Sequence, residues 1–291
     1  MDPVVRVGDT VRRVSGEWTE AVHELLGCYA SAGISETPRP RGIDREGREV
    51  LTFIEGMTLE QAPPEIRWRP SMLRAAGELL RRLHDASGPL VAGDRVWRNA
   101  PHAPVEVVCH NDFAPYNLIV RESRLVGVID FDMASPGSRL RDFAYLAYRL
   151  VPYAEDAAGF EPARHGLRED RLRELTEAYG AGFTPSAVRI AVARRLDDLA
   201  AFTDRRAAET GRQEFTEHAA MYRRDAERCR RNTVNLPAES TTAVSRPVPG
   251  PPSIFPSCLG STAPLKTSPG RSLRAIPRST TSAPASVSPR W

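Results

Sequence analysis

The apolar positions change period along the chain. Near the start they alternate: Val4-Val5-Arg6-Val7, then Gly8-Asp9, then Thr10-Val11-Arg12-Arg13 reads as a β-hairpin closed by a Gly-Asp turn. Across residues 21–29 the period becomes helical. Ala21, Val22, Leu25, Leu26 and Tyr29 share one face, and Gly33 stands where a C-terminal cap belongs. Residues 39–43 and 49–54 return to a strand pair around Asp44-Arg45-Glu46-Gly47, and Glu55-Gly56 breaks it. Beyond, residues 71–84 place Leu73, Ala76, Leu79, Leu80 and Leu83 on one face of a helix. Residues 105–109 form a short strand, and 118–120 with 125–129 a hairpin. From Arg141 to Arg231 the pattern is helical, with breaks near 152–164 and 180–185.

These elements predict an α+β body in two parts: a small β-rich unit over residues 1–56 and a larger helical one over 57–236. Residues 237–291 are different. They hold 11 of the 25 prolines and many Ser and Thr, without apolar periodicity. Such a segment buries too little surface to offset its conformational entropy, so a disordered tail is expected. Charge sharpens the division. The tail carries +5 of the net +3, which leaves the body at −2 and without the basic footprint of nucleic-acid binding. The four cysteines are scattered with no CxxC pair, which excludes a disulfide scaffold and a thiolate zinc site. No apolar run reaches the roughly 18 residues of a spanning helix, and the first residues lack the apolar block of a signal peptide. A cytoplasmic protein without a membrane partner is the expectation. Lys266 is the only lysine, so every cationic residue of the body other than histidine is arginine.

The chemically dense stretch is His110-Asn111-Asp112-Phe113-Ala114-Pro115-Tyr116-Asn117, followed by Ile129-Asp130-Phe131-Asp132. Asp112 follows one strand, Asp130 ends another, and Asn117 closes the loop between them. Hard oxygen donors of this kind suit magnesium, which keeps water or substrate phosphate in its remaining positions. Phosphoryl transfer needs such a metal and a carboxylate that accepts the proton of the attacking hydroxyl. Each residue alone has a plainer reading as a turn former or a helix cap, Asp142 above all. The three together form one set of hard oxygen donors.

On the motif His110-x-Asp112-x4-Asn117, with Ile129-Asp130-Phe131-Asp132 a dozen residues on and Arg139-Leu-Arg-Asp142-Phe-Ala-Tyr beyond, the chain resembles the aminoglycoside phosphotransferase family over most of residues 4–230. The resemblance implies a two-lobed, protein-kinase-like fold with a reduced β-rich N-lobe and a larger helical C-lobe. It implies ATP and Mg2+ as cofactors and a small-molecule hydroxyl acceptor as partner. It makes Asp112 the catalytic base and Asn117 and Asp130 metal ligands. His110 becomes a structural group of the catalytic loop, and Asp132 and Asp142 supporting carboxylates. Asn111 stands where the family commonly has Gly, which implies a left-handed residue or a shifted loop.

The nucleotide side departs from the pattern. The family's small-lobe lysine is missing, and Arg12 or Arg13 takes its strand; alternation sends them to opposite faces, and Arg12 is preferred for the cleft. Glu24 is chosen as its helix partner. Thr52 and Ile54, before Glu55-Gly56, are expected at the hinge that meets adenine. Only Met1-Asp2-Pro3 precede the first hairpin, so a shortened lobe without its phosphate-covering glycine loop is expected. Two other functions compete: a nucleotide-binding module with little catalysis, and a metal-dependent hydrolase in which His110 is a ligand. On the acceptor side the helices mix carboxylates with arginines, a pattern that also fits a solvated surface.

Overall fold

The computed structural model describes residues 4–234. The expected hairpin is β1 (Val5–Val7) and β2 (Thr10–Val14), with Val7 opposite Thr10 and Gly8 turning at φ +63°. Helix α1 (Thr19–Ser31) follows and buries Val22, Leu25, Leu26 and Tyr29. Each such side chain contributes about 1.5–3 kcal/mol over its exposed state. Strands β3 (Pro40–Ile43) and β4 (Arg48–Thr52) complete an antiparallel sheet of order β1-β2-β4-β3. The register of β2 on β4 sets Arg12 opposite Val50 and Arg13 opposite Glu49.

The chain then enters the larger part. β5 (Met57–Thr58) leads through α2 (Pro64–Arg67) into α3 (Pro70–Ser87), whose Leu73, Ala76, Leu80 and Leu83 are buried. β6 (Val107–Cys109), β7 (Leu118–Arg121), β8 (Arg124–Val128) and β9 (Ser135–Gly137) make two small sheets, β5-β7-β8 and β6-β9. Five helices complete the described chain: α4 (Arg139–Leu150), α5 (Pro162–His165), α6 (Arg168–Tyr179), α7 (Pro185–Thr210) and α8 (Gln213–Val234). The periodicity did not show the break between α7 and α8. Gly211 makes it by capping α7 at φ +68°, a conformation costly for other residues. Nor did it show β9, where Ser135-Pro136-Gly137 reads as a turn but pairs with β6 on its buried side.

Two details position the site. Gly56 joins the parts at φ +149°, and a Cβ there would lie 2.5 Å from the carbonyl oxygen of Val120. The hairpin β7–β8 ends beside the loop that follows β6, because Ile129 N–H donates to Asn117 O at 2.9 Å. The tail expected to be disordered lies outside the described residues.

Candidate active site

β6 is buried along its length and delivers His110 and Asp112 to the edge of the helical part. The loop is fastened from behind. Asp142, in the first turn of α4, accepts from His110 N–H at 2.7 Å and from Asn111 N–H at 2.8 Å. Its Oδ2 also lies 3.0 Å from His84 Nε2, and His84 Nδ1 lies 2.7 Å from the Tyr179 hydroxyl. Burial works against the charge of Asp142. The bond and charge of His84, with His110, outweigh it and hold the carboxyl below its ordinary range. Ser138 caps α4 by accepting from Arg141 N–H, so Asp142 is a loop anchor and not a helix cap. Asn111 takes the left-handed conformation, φ 63°, and its amide donates to Met133 O and Ser135 Oγ, both at 2.9 Å.

His110 bridges loop and hairpin. Asp112 N–H donates to His110 Nδ1 at 3.2 Å, so that nitrogen is an acceptor and Nε2 carries the proton given to Ile129 O at 3.1 Å. Burial, the largest influence, lowers the imidazole's pKa and keeps it neutral. With both ring nitrogens engaged, His110 is not a metal ligand, which removes the footing of the hydrolase alternative. Cys109, His84 and Asp142 also bring ligand atoms within 4.8 Å of one another. The carboxylate there is already taken by two amides and an imidazole.

Asp112 is buried, at 8% exposure, and both its oxygens hold a donor: Tyr116 Oη at 2.5 Å on Oδ1 and Asn117 Nδ2 at 2.8 Å on Oδ2. Desolvation is the main force on it, and the nearby charge of Asp130 adds to it. The bonds from Tyr116 and Asn117 and the charge of Arg195 oppose them, and the carboxyl is pushed up to about 7. A group poised near neutrality suits a general base. The amide nitrogen of Asn117 points at Asp112, which turns its carbonyl oxygen the other way. Asp130 opens the turn after β8 in the left-handed conformation, φ 67°, and Asp132 follows in that turn. Asn117, Asp130 and Asp132 are an all-oxygen set, the donor chemistry of magnesium or calcium and not of zinc.

Arg13 is the cation that bridges Asp130 and Asp132, and Arg98 also approaches Asp132, at 3.6 Å. Arg13 Nη1 lies 3.1 Å from Asp130 and its Nη2 2.6 Å from Asp132, while Nε donates to Glu49. Burial disfavours its charge, but Asp132, Glu49 and Asp130 together hold its pKa above the ordinary value. The preference for Arg12 is thus corrected. Arg12 shares a face with Val50 and turns its guanidinium to Asp44 at 3.2 Å. Glu24 is corrected too: it is paired with Arg95 at 2.6 Å, away from Arg13. The partner is Glu49, directly across the ladder, only 2% exposed and held on its other oxygen by His23 at 2.9 Å. A glutamate within the apolar run Glu49-Val50-Leu51 was the sequence signal for it. At the hinge, Thr52 is engaged by Arg39: its N–H donates to Arg39 O at 2.9 Å and its Oγ1 accepts from Arg39 N–H at 2.8 Å. Thr52 N–H is therefore not a donor for adenine. Ile54 lies over Gly127, where a Cβ would come within 2.8 Å of it.

A family model, the phosphotransferase enzyme family, matches residues 92–189, which span the loop, the metal turn and α4. The trifolitoxin immunity protein of Rhizobium leguminosarum bv. trifolii is 32% identical over 211 residues, 65% of this chain and 77% of that protein. Two solved structures share the fold. One is a choline/ethanolamine kinase family protein from Mesorhizobium loti, with TM-score 0.51, 18% identity, 78% of this chain and 84% of that one. The other is amicoumacin kinase hAmiN in complex with AMP-PNP, Ca2+ and Ami, with TM-score 0.55, 12% identity, 78% of this chain and 88% of that one. The chain belongs to the phosphotransferase enzyme family and has its protein-kinase-like fold. It is a small-molecule phosphotransferase.

Proposed function

We propose that the protein transfers the γ-phosphoryl group of ATP, with Mg2+, to a hydroxyl of a small molecule. The observation that carries this reading is a buried carboxylate, Asp112, bonded by the amide nitrogen of Asn117 and within electrostatic reach of Asp130 at the mouth of two strands. Asn117 and Asp130 would hold the metal, with Asp132 beside them in support, and the metal would neutralise charge on the transferring phosphate. Arg13 reaches the same place from the sheet and offers a planar fork of donors to phosphate oxygens; Glu49, backed by His23, aims it. Asp112 orients the acceptor hydroxyl and takes its proton. Asp142 and His110 keep the loop in register with the metal turn.

Charge does not single out a polycationic acceptor. Glu155, Asp156, Asp197, Asp198 and Asp204, the carboxylates that would draw a polycation, pair with Arg224, Arg149, Arg230, Arg141 and Arg223. The acceptor panel therefore extends beyond amino sugars to choline-like and homoserine-like alcohols, and the relative named for immunity adds toxic compounds. The test is Asp112→Asn, which should lower transfer by about 10²–10⁴ while calorimetry shows nucleotide binding nearly unchanged. Undiminished turnover removes Asp112 as the base. Tight ATP binding with no consumption on any acceptor favours the alternative of a binding module, the reading that the three carboxylates around Arg13 support.

A further inference from the structure

The place of an acceptor beside Asp112 is taken by a group of the chain itself. Tyr116 is the fourth residue after Asp112, and the turn closed by Asn117 N–H on Ala114 O at 2.8 Å folds its phenol back over the carboxylate. The phenol donates to Oδ1 at 2.5 Å, the approach a general base needs to the proton it removes. Because that proton is committed to Asp112, the 2.9 Å contact with Tyr145 is a bond donated by Tyr145. One lone pair of Tyr116 Oη is thus used, and the other remains for attack. The side chain is half-buried and not sealed in the core. Cations stand around it. Burial and the charge of Asp112 hold the phenol's proton, and Arg149, within electrostatic reach, opposes them. Arg195 sits 5.4 Å over the Tyr145 ring and donates to Asn111 O at 2.7 Å.

We propose that Tyr116 is itself a phosphoryl acceptor, so that the protein given MgATP and no small-molecule acceptor phosphorylates its own loop. The inference rests on the ATP-dependent reading above. In the step, the Oη–H proton passes to Asp112 Oδ1, the Oη–Pγ bond forms, and the bond from Pγ to the bridging oxygen breaks with its electron pair leaving on ADP. Asp112 later returns the proton to water. The product places about two negative charges where an acceptor hydroxyl must bind, so the mark blocks further transfer until it is removed.

The experiment takes the full chain, incubates it with MgATP without acceptor, and reads intact mass and a peptide map. The expected result is a gain of about 80 Da on the peptide that carries Tyr116. The mark should be lost in Tyr116→Phe and in Asp112→Asn and kept in Tyr145→Phe. Calorimetry with ATP and an acceptor-dependent ADP assay run beside it. If ATP binds and an acceptor is phosphorylated but Tyr116 stays unmodified, or the mark sits elsewhere, this proposal falls and the phosphotransferase mechanism stands. If ATP does not bind, both fall together.

Discussion

Asp142 shows what one buried side chain does for the loop it holds. Its two oxygens satisfy two backbone amides and an imidazole, all out of water. Asp142→Ala leaves those donors unpaired and should cost about 3–5 kcal/mol, read as a lower urea midpoint with unchanged slope. The pH dependence has a definite sign. The folded carboxyl is held below its unfolded value near 3.9, so between the two values the unfolded chain binds more protons. The stability it provides is present above the unfolded value and is lost as pH falls through the folded one. Asp142→Asn should flatten that acid limb in urea melts between about pH 5 and pH 2; an unchanged limb would assign it to other carboxylates. At this scale the motif singled out Asp112, Asn117, Asp130 and Asp142, and the structure fastens Asp112, Asn117 and Asp142 to one loop. The facing of Arg12 and Arg13 was not legible, since Val11 and Val14 on either side fit both choices. The choice depends on Glu49, 36 residues away, and only the strand register brings it opposite.

Secondary structure was legible wherever one face carried the period. Helices α1 and α3 and the hairpins β1–β2 and β7–β8 fall where the pattern set them, with ends moved by one to three residues. β5 and β9 carried no signal because two or three residues hold no period, and they pair through long-range partners. The connection between the parts makes a prediction of this kind. Gly56 needs φ +149° and has the Val120 carbonyl against the position of a Cβ. Gly56→Ala should therefore cost about 1–3 kcal/mol and weaken nucleotide binding, since β5 sets how the hinge leaves the sheet. A chevron plot together with nucleotide titration measures both. Wild-type values for this variant would show that the crossing relaxes freely.

Across the whole molecule the plan of a small sheet followed by helices was legible from the order of the periods, and no helix among the described residues is long and apolar enough to cross a membrane. A ligand that touches both parts must stabilise both. MgATP at a hundredfold excess over its Kd should add about 2.7 kcal/mol, seen as a rise in Tm in differential scanning fluorimetry. Arg13→Gln should reduce that rise by weakening the sheet's hold on the phosphates; an equal shift in the variant would leave Arg13 without a nucleotide role. Arg13 also has a meaning at rest. Its guanidinium spans Asp130 and Asp132 from the opposite part of the fold, so two carboxylates that would invite any dication are already answered. A bare ion arriving from solution has to evict an arginine, whereas a triphosphate offers that arginine somewhere better to go. On the proposed reading the consequence is an order of loading: a metal would enter in the company of its nucleotide, and a dication alone would meet carboxylates that already have a partner.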